Sequence, residues 1–315
     1  MASDIFAKIG DIKGESFDDQ LDHQFIKLST DLNRLSDAFL DLISDAVKLN
    51  DVPGAAHDAL IKHDVQTTGL DFIKLGDGFL KLDDALHKVD DQVLAFVDQF
   101  IIKITPSEVG TDQGSLKLAD DFLQLETDLK LTGLDTIKFG LDFLKLNDTD
   151  TENANPLLLK IADDFQKLDD NLSSVGDDYL KVGADFLELG HLKLGDIKID
   201  EAFTSLGTDM LKVGSDFHQV SDLFLKIALD LGQSGELPTE SLSLNFSKIV
   251  FTHADDFLKL DSALQTLELD LKLVGDDYAK LGDAFHDVFH PENGRPVITD
   301  TLGQVLDLAH HFSLL

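Results

Sequence analysis

One eleven-residue pattern recurs five times along the chain and limits what the chain can fold into. The pattern is Gly-x-Asp-ϕ-x-Lys-ϕ-Gly-x-x-Phe, in which ϕ is mostly large and apolar. Its two ϕ positions and its Phe are spaced three and then four residues apart, which places them on one stripe of an α-helix. The pattern therefore predicts packed helices. The copies occupy residues 69–79, 133–143, 176–186, 207–217 and 275–285.

Apolar stripes of the same kind extend well beyond these five copies. Their alternating spacing of three and four residues is typical of long helices that pack at shallow angles. Prolines mark the connections at Pro53, Pro106, Pro238 and Pro291, whereas Pro156 suits the first turn of a helix. The sequence therefore predicts an all-α protein, an elongated antiparallel bundle of three helical hairpins.

The chain also repeats itself at an offset of 185 residues without gaps. Residues 8–13 recur as residues 193–198, and Pro53 and Pro106 correspond to Pro238 and Pro291. We predict a first copy at 1–110, a middle helical hairpin at 111–190, a second copy at 186–295, and a short C-terminal helix or tail at 296–315. Each copy opens with an alternating apolar segment, which predicts short strands within residues 1–16 and 191–200.

A formal net charge of −34 restricts the partners of this protein. Its 60 acidic residues outnumber 26 basic ones, of which only Arg34 and Arg295 are arginines. Such a surface repels nucleic acid and anionic lipid, and it attracts cations and basic partners. We therefore expect no nucleic-acid partner. No apolar run approaches the ~20 residues that a membrane span requires, so no transmembrane segment is expected either.

The absence of cysteine excludes disulfides, thiolate nucleophiles and cysteine metal sites. Residues 1–14 lack the basic start and apolar middle of a cleaved secretory signal. The acidic, cysteine-free composition and the apolar residues 311–315 favour an extracellular protein exported without a cleaved signal. A cytoplasmic protein is the alternative.

The amino terminus carries one resemblance to a known family. The run DIFAKIGDIKGES, followed by Asp18 and His23, resembles the amino terminus of the tube-forming, haemolysin-coregulated proteins of type VI secretion. The resemblance covers roughly the first 23 residues. That family continues as a β-barrel, whereas this chain continues with helical patterns, so the ring assembly and tube stacking of the family are not carried over.

The repeated glycines need a physical reason, because each costs up to ~1 kcal/mol of helix stability relative to alanine. One interpretation is close approach of neighbouring helices. The other is an apolar slot for a lipid or pigment, shaped by glycines and phenylalanines. The candidate ligand-binding residues are Gly69, Gly76, Phe79, Gly275, Gly282 and Phe285.

Aspartate and lysine recur three residues apart, as neighbours on a helix surface. Their number and regularity predict a solvated charged face, in which each exposed pair contributes only ~0.2–0.5 kcal/mol. The pairs are 71/74, 135/138, 142/145, 164/167, 178/181, 209/212, 256/259 and 277/280.

Two short segments offer metal ligands. Asp148, Asp150 and Glu152 alternate as the ligands at the start of a calcium loop do, although the later glycine and acidic ligands of such a loop are missing. Calcium is therefore an open alternative to an ordinary polar turn. His286 and His290 lie four residues apart, a spacing that allows two histidines to share a metal. His253 falls on an apolar stripe, which favours a hydrogen-bonded core histidine.

No catalytic triad order, phosphate loop or dinucleotide fingerprint stands out, so we expect no enzyme and no cofactor apart from the open calcium alternative. Internal repetition and uniform surface chemistry favour a structural or assembly protein that forms homo-oligomers through helix faces and strand segments. Two alternatives remain open. One is a carrier that binds an apolar small molecule, and the other is an acidic cation-binding protein.

Overall fold

A computed structural model of the protein describes residues 14–51, 55–96, 111–147, 154–191, 199–233 and 248–289. Six long α-helices account for nearly all of these residues. They are α1 (Gly14–Asp51), α2 (Ala55–Phe96), α3 (Thr111–Leu144), α4 (Ala154–Gly190), α5 (Ile199–Gln233) and α6 (Ala254–Phe289). A single 3₁₀ turn, Lys145–Asn147, extends α3.

The helix ends follow simple local rules. Pro156 lies in the first turn of α4, where its missing N–H leaves no intrahelical bond unmade. Asp200 and Glu201 open α5, and Asp255 and Asp256 open α6, where carboxylates complement the positive end of the helix dipole. Helices of 34 to 42 residues span roughly 50 to 60 Å at 1.5 Å per residue. The predicted elongated, all-α bundle is confirmed at this level.

The six helices form a closed ring. Each packs antiparallel against the helices before and after it in the chain, and α6 returns to pack against α1. The most extensive contacts join α2 to α3, α4 to α5, and α6 to α1, and we call these the close pairs. The predicted hairpins α1/α2, α3/α4 and α5/α6 are in contact too, but less extensively.

Glycines explain the approach of two close pairs. Gly76 on α2 faces Gly133 on α3, where a Cβ on Gly76 would lie 2.5 Å from the Gly133 carbonyl oxygen. Gly183 on α4 faces Gly207 on α5, where the corresponding distance is 2.9 Å. Because both contacts end on backbone, no side-chain rotation would make room. The close approach of helices, proposed above for the glycines, is what the structure shows.

Aromatic rings fill the axis of the bundle. Phe72 on α2 reaches Phe224 on α5, directly across the ring, at 6.3 Å between ring centroids, and Phe79 reaches Phe217 at 6.2 Å. The space left among the side chains of all six helices has a volume of about 10 Å³. That volume is at the lower limit for a single water molecule. The axis is therefore filled by side chains at this point of the ring.

The predicted strands are not seen in the described residues. Residues 14–16 belong to α1 and residues 199–200 to α5, so those ends of the predicted strands were wrong. The last two residues of the alternating segment 191–200 form the start of α5, and Glu201 lies in the same first turn. Residues 1–13, 192–198 and the predicted C-terminal helix or tail at 296–315 lie outside the described residues.

Ser36 and Ser221, which correspond at the proposed offset of 185, make similar contacts with aspartates that do not correspond at that offset. Ser36 on α1 hydrogen-bonds the carboxylate of Asp261 on α6, and Ser221 on α5 hydrogen-bonds the carboxylate of Asp169 on α4. Each hydroxyl also donates to the carbonyl of the same aspartate, at 3.5 and 3.0 Å. Both contacts lie in close pairs. The internal duplication and its domain boundaries remain predictions.

Candidate functional site

Each close pair meets the next one at a second, less extensive helix interface. These three interfaces, α1/α2, α3/α4 and α5/α6, are lined by acidic side chains, and we call them the acidic seams. Each seam contains a lysine that bridges to an aspartate on the facing helix. The bridges are Lys27–Asp77 at 3.2 Å, Lys138–Asp164 at 2.7 Å and Lys226–Asp256 at 2.6 Å. The seams therefore hold the close pairs together with charge as well as with apolar contact.

The repeated Asp–Lys pairs are formed but do not make the solvated face that we predicted. Seven of the eight pairs are in contact, and Lys138 reaches Asp164 on α4. The lysines are exposed, whereas all the aspartates but the half-buried Asp135 are buried, with Asp178 and Asp277 each only 1% exposed. The prediction of exposed pairs was wrong because the facing helix across each acidic seam covers the position beside the apolar stripe.

Several buried aspartates meet a second carboxyl group across a seam. In α5/α6, burial is the main cause that raises the pKa of Asp216, to about 7, and hydrogen-bonding contact with Asp270 adds to it. In α1/α2, burial raises the pKa of Asp64 to about 6, and Asp45 and Asp41 raise it further. Two carboxylates at hydrogen-bonding distance repel each other, so such a pair requires a shared proton or a cation.

The α3/α4 seam contains two further pairs. Burial raises the pKa of Asp178 to about 6 beside Asp128, although Lys181 opposes the shift. Burial likewise raises the pKa of Asp185 to about 6 beside Asp121, against Lys117. These lysines lie on the outer side of the seam, so they compensate only part of the cost of burying the aspartates.

Other carboxyls in the seams are held in the ionised form. Burial acts to raise the pKa of Asp142, but hydrogen bonds from Lys145 and Lys160 outweigh it and lower the pKa to about 2. The hydrogen bond from Lys226 is the main cause that lowers the pKa of Asp256. The seams therefore mix ion pairs, which need charged carboxylates, with carboxyl pairs, which do not tolerate two charges.

A separate cluster lies at one end of the α5/α6 seam. His253 Nδ1 lies 2.9 Å from Asp230 Oδ2, and a carboxylate oxygen of Asp256 completes a group whose ligand atoms lie within 4.8 Å of one another. The prediction of a core histidine at 253 was wrong, because its side chain is 28% exposed, and Asp230 is its nearby carboxylate. Sequence reasoning missed both aspartates, because residues 230 and 256 lie on different helices and share no motif.

The glycine candidates for ligand binding lie at two separate places. Gly69 and Gly76 on α2 face Gly140 and Gly133 on α3. Gly275 and Gly282 are buried on α6, which is not a neighbour of α2 in the ring. The structure does not bring the two sets together. The assignment of a ligand to them stays a prediction.

Of the remaining predicted site residues, only Phe79 has a side chain among the described residues. Phe79 is buried beside the axis and contacts Phe217, whereas the side chain of Phe285 in α6 lies outside the described residues. Asp148, Asp150 and Glu152 also lie outside them, as do the side chain of His286 and the whole of His290. The calcium loop and the histidine pair remain predictions.

Comparison with known proteins adds no relative to this picture. The chain matches no family model, no curated protein and no solved structure. Within the described residues, no helix combines the length and apolar character that crossing a membrane requires.

Proposed function

We propose that this protein is a non-enzymatic structural or assembly protein, exported without a cleaved signal, that associates with further copies of itself through helix faces and strand segments. The filled axis carries the structural part of this proposal. All six helices contribute side chains to the centre of the ring, and the remaining volume of about 10 Å³ leaves no room for a substrate or ligand there. Such a bundle is suited to a mechanical or scaffolding role.

An exposed leucine stripe on α3 supports self-association through a helix face. Leu123, Leu134 and Leu141 are 60%, 52% and 50% exposed, and their spacings of eleven and seven residues place them on one side of the helix. Exposed leucines on one side of a helix can take part in an interaction surface. A second copy would cover this stripe with the same residues around a two-fold axis.

We expect the protein to form oligomers in 0.5 M NaCl and to dissociate towards monomers in 0.01 M NaCl. At the lower salt concentration the Debye length is ~30 Å, so the net charge of −34 repels copies of the chain. Light scattering coupled to size exclusion measures this directly. A strict monomer at every salt, calcium and protein concentration would exclude the proposal.

A matched pair of variants identifies the surface. Leu123→Gln/Leu134→Gln/Leu141→Gln removes the stripe without changing the charge, and it is expected to abolish the oligomer. Leu229→Gln/Leu269→Gln changes two similarly exposed leucines, on α5 and α6, and should leave the oligomer intact. If both variants remain oligomeric, association occurs elsewhere, and the predicted strand segments become the next candidates.

The carboxyl pairs favour a second candidate, an acidic cation-binding protein. Asp64 Oδ2 and Asp216 Oδ2 are buried and accept no hydrogen bond from a donor among the described residues. A cation bound between facing carboxylates would remove the repulsion that otherwise requires a proton. The carrier alternative lacks such support, because an apolar ligand at the axis would have to displace core side chains.

Calcium is expected to raise the melting temperature more than magnesium at matched ionic strength if this second candidate is correct. Two variants then locate the ion. Asp148→Asn/Asp150→Asn/Glu152→Gln removes the predicted loop ligands, and Asp216→Asn/Asp270→Asn removes one carboxyl pair. Loss of the calcium effect in one variant assigns the site to that segment. Equal shifts by calcium and magnesium in the unmodified protein would show general screening and exclude specific calcium binding.

A further inference from the structure

We infer that Asp230, His253 and Asp256 form a binding site for a divalent transition-metal ion such as Zn²⁺. The inference is independent of the self-association proposed above, and it rests on donors that three segments of the chain bring together. Asp230 lies in the last turn of α5, His253 at the break before α6, and Asp256 in the first turn of α6. Their ligand atoms all lie within 4.8 Å of one another.

The backbone around His253 fixes the histidine between the two aspartates. Residues 248–252 form a helical turn, and His253 interrupts it before α6 begins. The His253 N–H donates to Ile249 O at 3.0 Å, and the His253 carbonyl accepts from Asp256 N at 2.9 Å and from Phe257 N at 3.3 Å. The break is therefore hydrogen-bonded on both sides, so the imidazole projects from an ordered segment.

The site is sheltered without being closed. The side chains of His253, Asp230 and Asp256 are 28%, 21% and 10% exposed. This exposure leaves a path for an ion, while the helix walls reduce competition from water. One imidazole nitrogen and two carboxylate oxygens form a donor set that Zn²⁺ and its first-row neighbours accept, with further positions left for water.

Binding requires only a small rearrangement. Two ligands at the usual 2.0–2.2 Å from a tetrahedral Zn²⁺ lie about 3.4 Å apart. Because the ligand atoms of the cluster lie within 4.8 Å of one another, their separations must change by no more than about 1.5 Å. Asp230 lies near the C-terminal end of α5, where the helix dipole attracts a cation.

Two lysines compete with the metal. Asp256 accepts from Lys226 at 2.6 Å and from Lys259 at 3.2 Å. Both lysine side chains are at least half exposed, at 50% and 61%, so they can leave the carboxylate without disturbing the core. Because the lysines compete with the metal ion for Asp256, removal of one lysine should raise the affinity for the metal.

Other histidines of the bundle serve as internal references. His218 lies 3.2 Å from Asp177, and His87 lies 3.1 Å from Glu126. Neither belongs to a group of three metal-ligating side chains within the described part of the chain. A histidine–carboxylate contact is thus common here, and the second carboxylate distinguishes the 253 cluster.

Zinc titration of the full chain by isothermal calorimetry tests the inference. The unmodified protein is expected to bind one Zn²⁺, and His253→Gln and Asp230→Asn are each expected to weaken binding by at least about tenfold. His218→Gln should bind zinc as the unmodified protein does. Circular dichroism of every variant verifies that its helices remain intact.

Two further variants make the result decisive. Lys226→Met is expected to tighten zinc binding by about three- to tenfold, because it removes a competing positive charge from Asp256. A misfolded variant would not bind more tightly. His286→Gln/His290→Gln removes the other predicted histidine pair and should have no effect. Absence of zinc binding, equal binding by His253→Gln, or loss of binding only in His286→Gln/His290→Gln would each overturn the inference.

Discussion

Lowering the pH from 8 to about 4.5 is expected to stabilise this protein, whereas most proteins are at best indifferent to such a change. Asp64, Asp178 and Asp185 have pKa values of about 6, and Asp216 has one of about 7, against an ordinary value of 3.8. The folded protein therefore binds more protons than the unfolded chain between about pH 4 and pH 7, so stability falls as the pH rises through this window. The relief of repulsion within a strongly acidic chain acts in the same direction.

The expected size is several kcal/mol. A buried carboxyl whose pKa rises from 3.8 to about 6 costs on the order of 3 kcal/mol of stability at pH 8 relative to its protonated form. Below about pH 4 the trend reverses, because Asp142, with a pKa of about 2, and Asp256, with a lowered pKa, lose their lysine partners when protonated. Stability should therefore pass through a maximum near pH 4 to 5.

Urea unfolding from pH 3 to pH 8 at constant ionic strength measures this profile. Asp216→Asn places a neutral side chain of the same shape beside Asp270, and it is expected to stabilise the protein at pH 8 while having little effect at pH 4.5. Tyr179→Phe is the matched control. The hydroxyl of Tyr179 is buried without a hydrogen-bond partner among the described residues and remains neutral over this range, so its removal should shift stability equally at every pH. A stability maximum above pH 6.5 would contradict the proposed role of the carboxyl pairs.

The helical fold was predictable from local sequence because its signal is periodic. Each stripe repeats over many turns. Pro53 lies between α1 and α2, Pro156 lies in the first turn of α4, and Pro291 follows the end of α6. A stripe does not determine which neighbour a helix approaches most closely. The hairpin pairing α1/α2, α3/α4 and α5/α6 followed from chain order, whereas the closest pairs depend on glycines such as Gly76 and Gly133, which meet only in three dimensions.

The burial of the acidic residues was not predictable for a related reason. In the sequence, Asp178 and Lys181 have the spacing of an exposed ion pair. The helix pattern places Asp178 beside the apolar stripe, and whether that flank is wet or dry depends on how closely α3 approaches. The approach of Asp128 from α3 makes the flank dry and converts a surface pair into a buried carboxyl contact. No local pattern contains that information.

The Asp230–His253–Asp256 cluster illustrates the same limit at a candidate site. The histidine was noticed because it falls on an apolar stripe, and a core histidine was expected there. Its two aspartate neighbours are 23 residues before it and three residues after it in the sequence, with residues 234–247 between α5 and the helical turn. Among 60 acidic residues, no pair can be selected without knowing which helices are adjacent.

The paired glycines should tolerate alanine poorly, although alanine is the better helix former. Gly76→Ala gains up to about 1 kcal/mol from helix propensity. Its Cβ, however, would lie 2.5 Å from the Gly133 carbonyl oxygen and 2.9 Å from Ile137 N, and both atoms belong to the backbone. Helices α2 and α3 must then separate along their length, which weakens the packing of Phe72 on Phe139. We expect a net loss of about 2–4 kcal/mol in the free energy of unfolding.

Three glycine-to-alanine variants test whether close packing of the helices is the reason for the glycines. Gly183→Ala meets its nearest backbone atom at 2.9 Å and should lose less stability than Gly76→Ala. Gly232 near the end of α5 has no atom within 4 Å of an added Cβ, so Gly232→Ala should be neutral or stabilising by up to about 1 kcal/mol. Urea unfolding of the three variants at one pH gives the order. If Gly76→Ala proved as stable as Gly232→Ala, the close pairs would not depend on the missing side chains. The recurrence of glycine in all five copies of the sequence pattern would then need a cause other than the approach of helices.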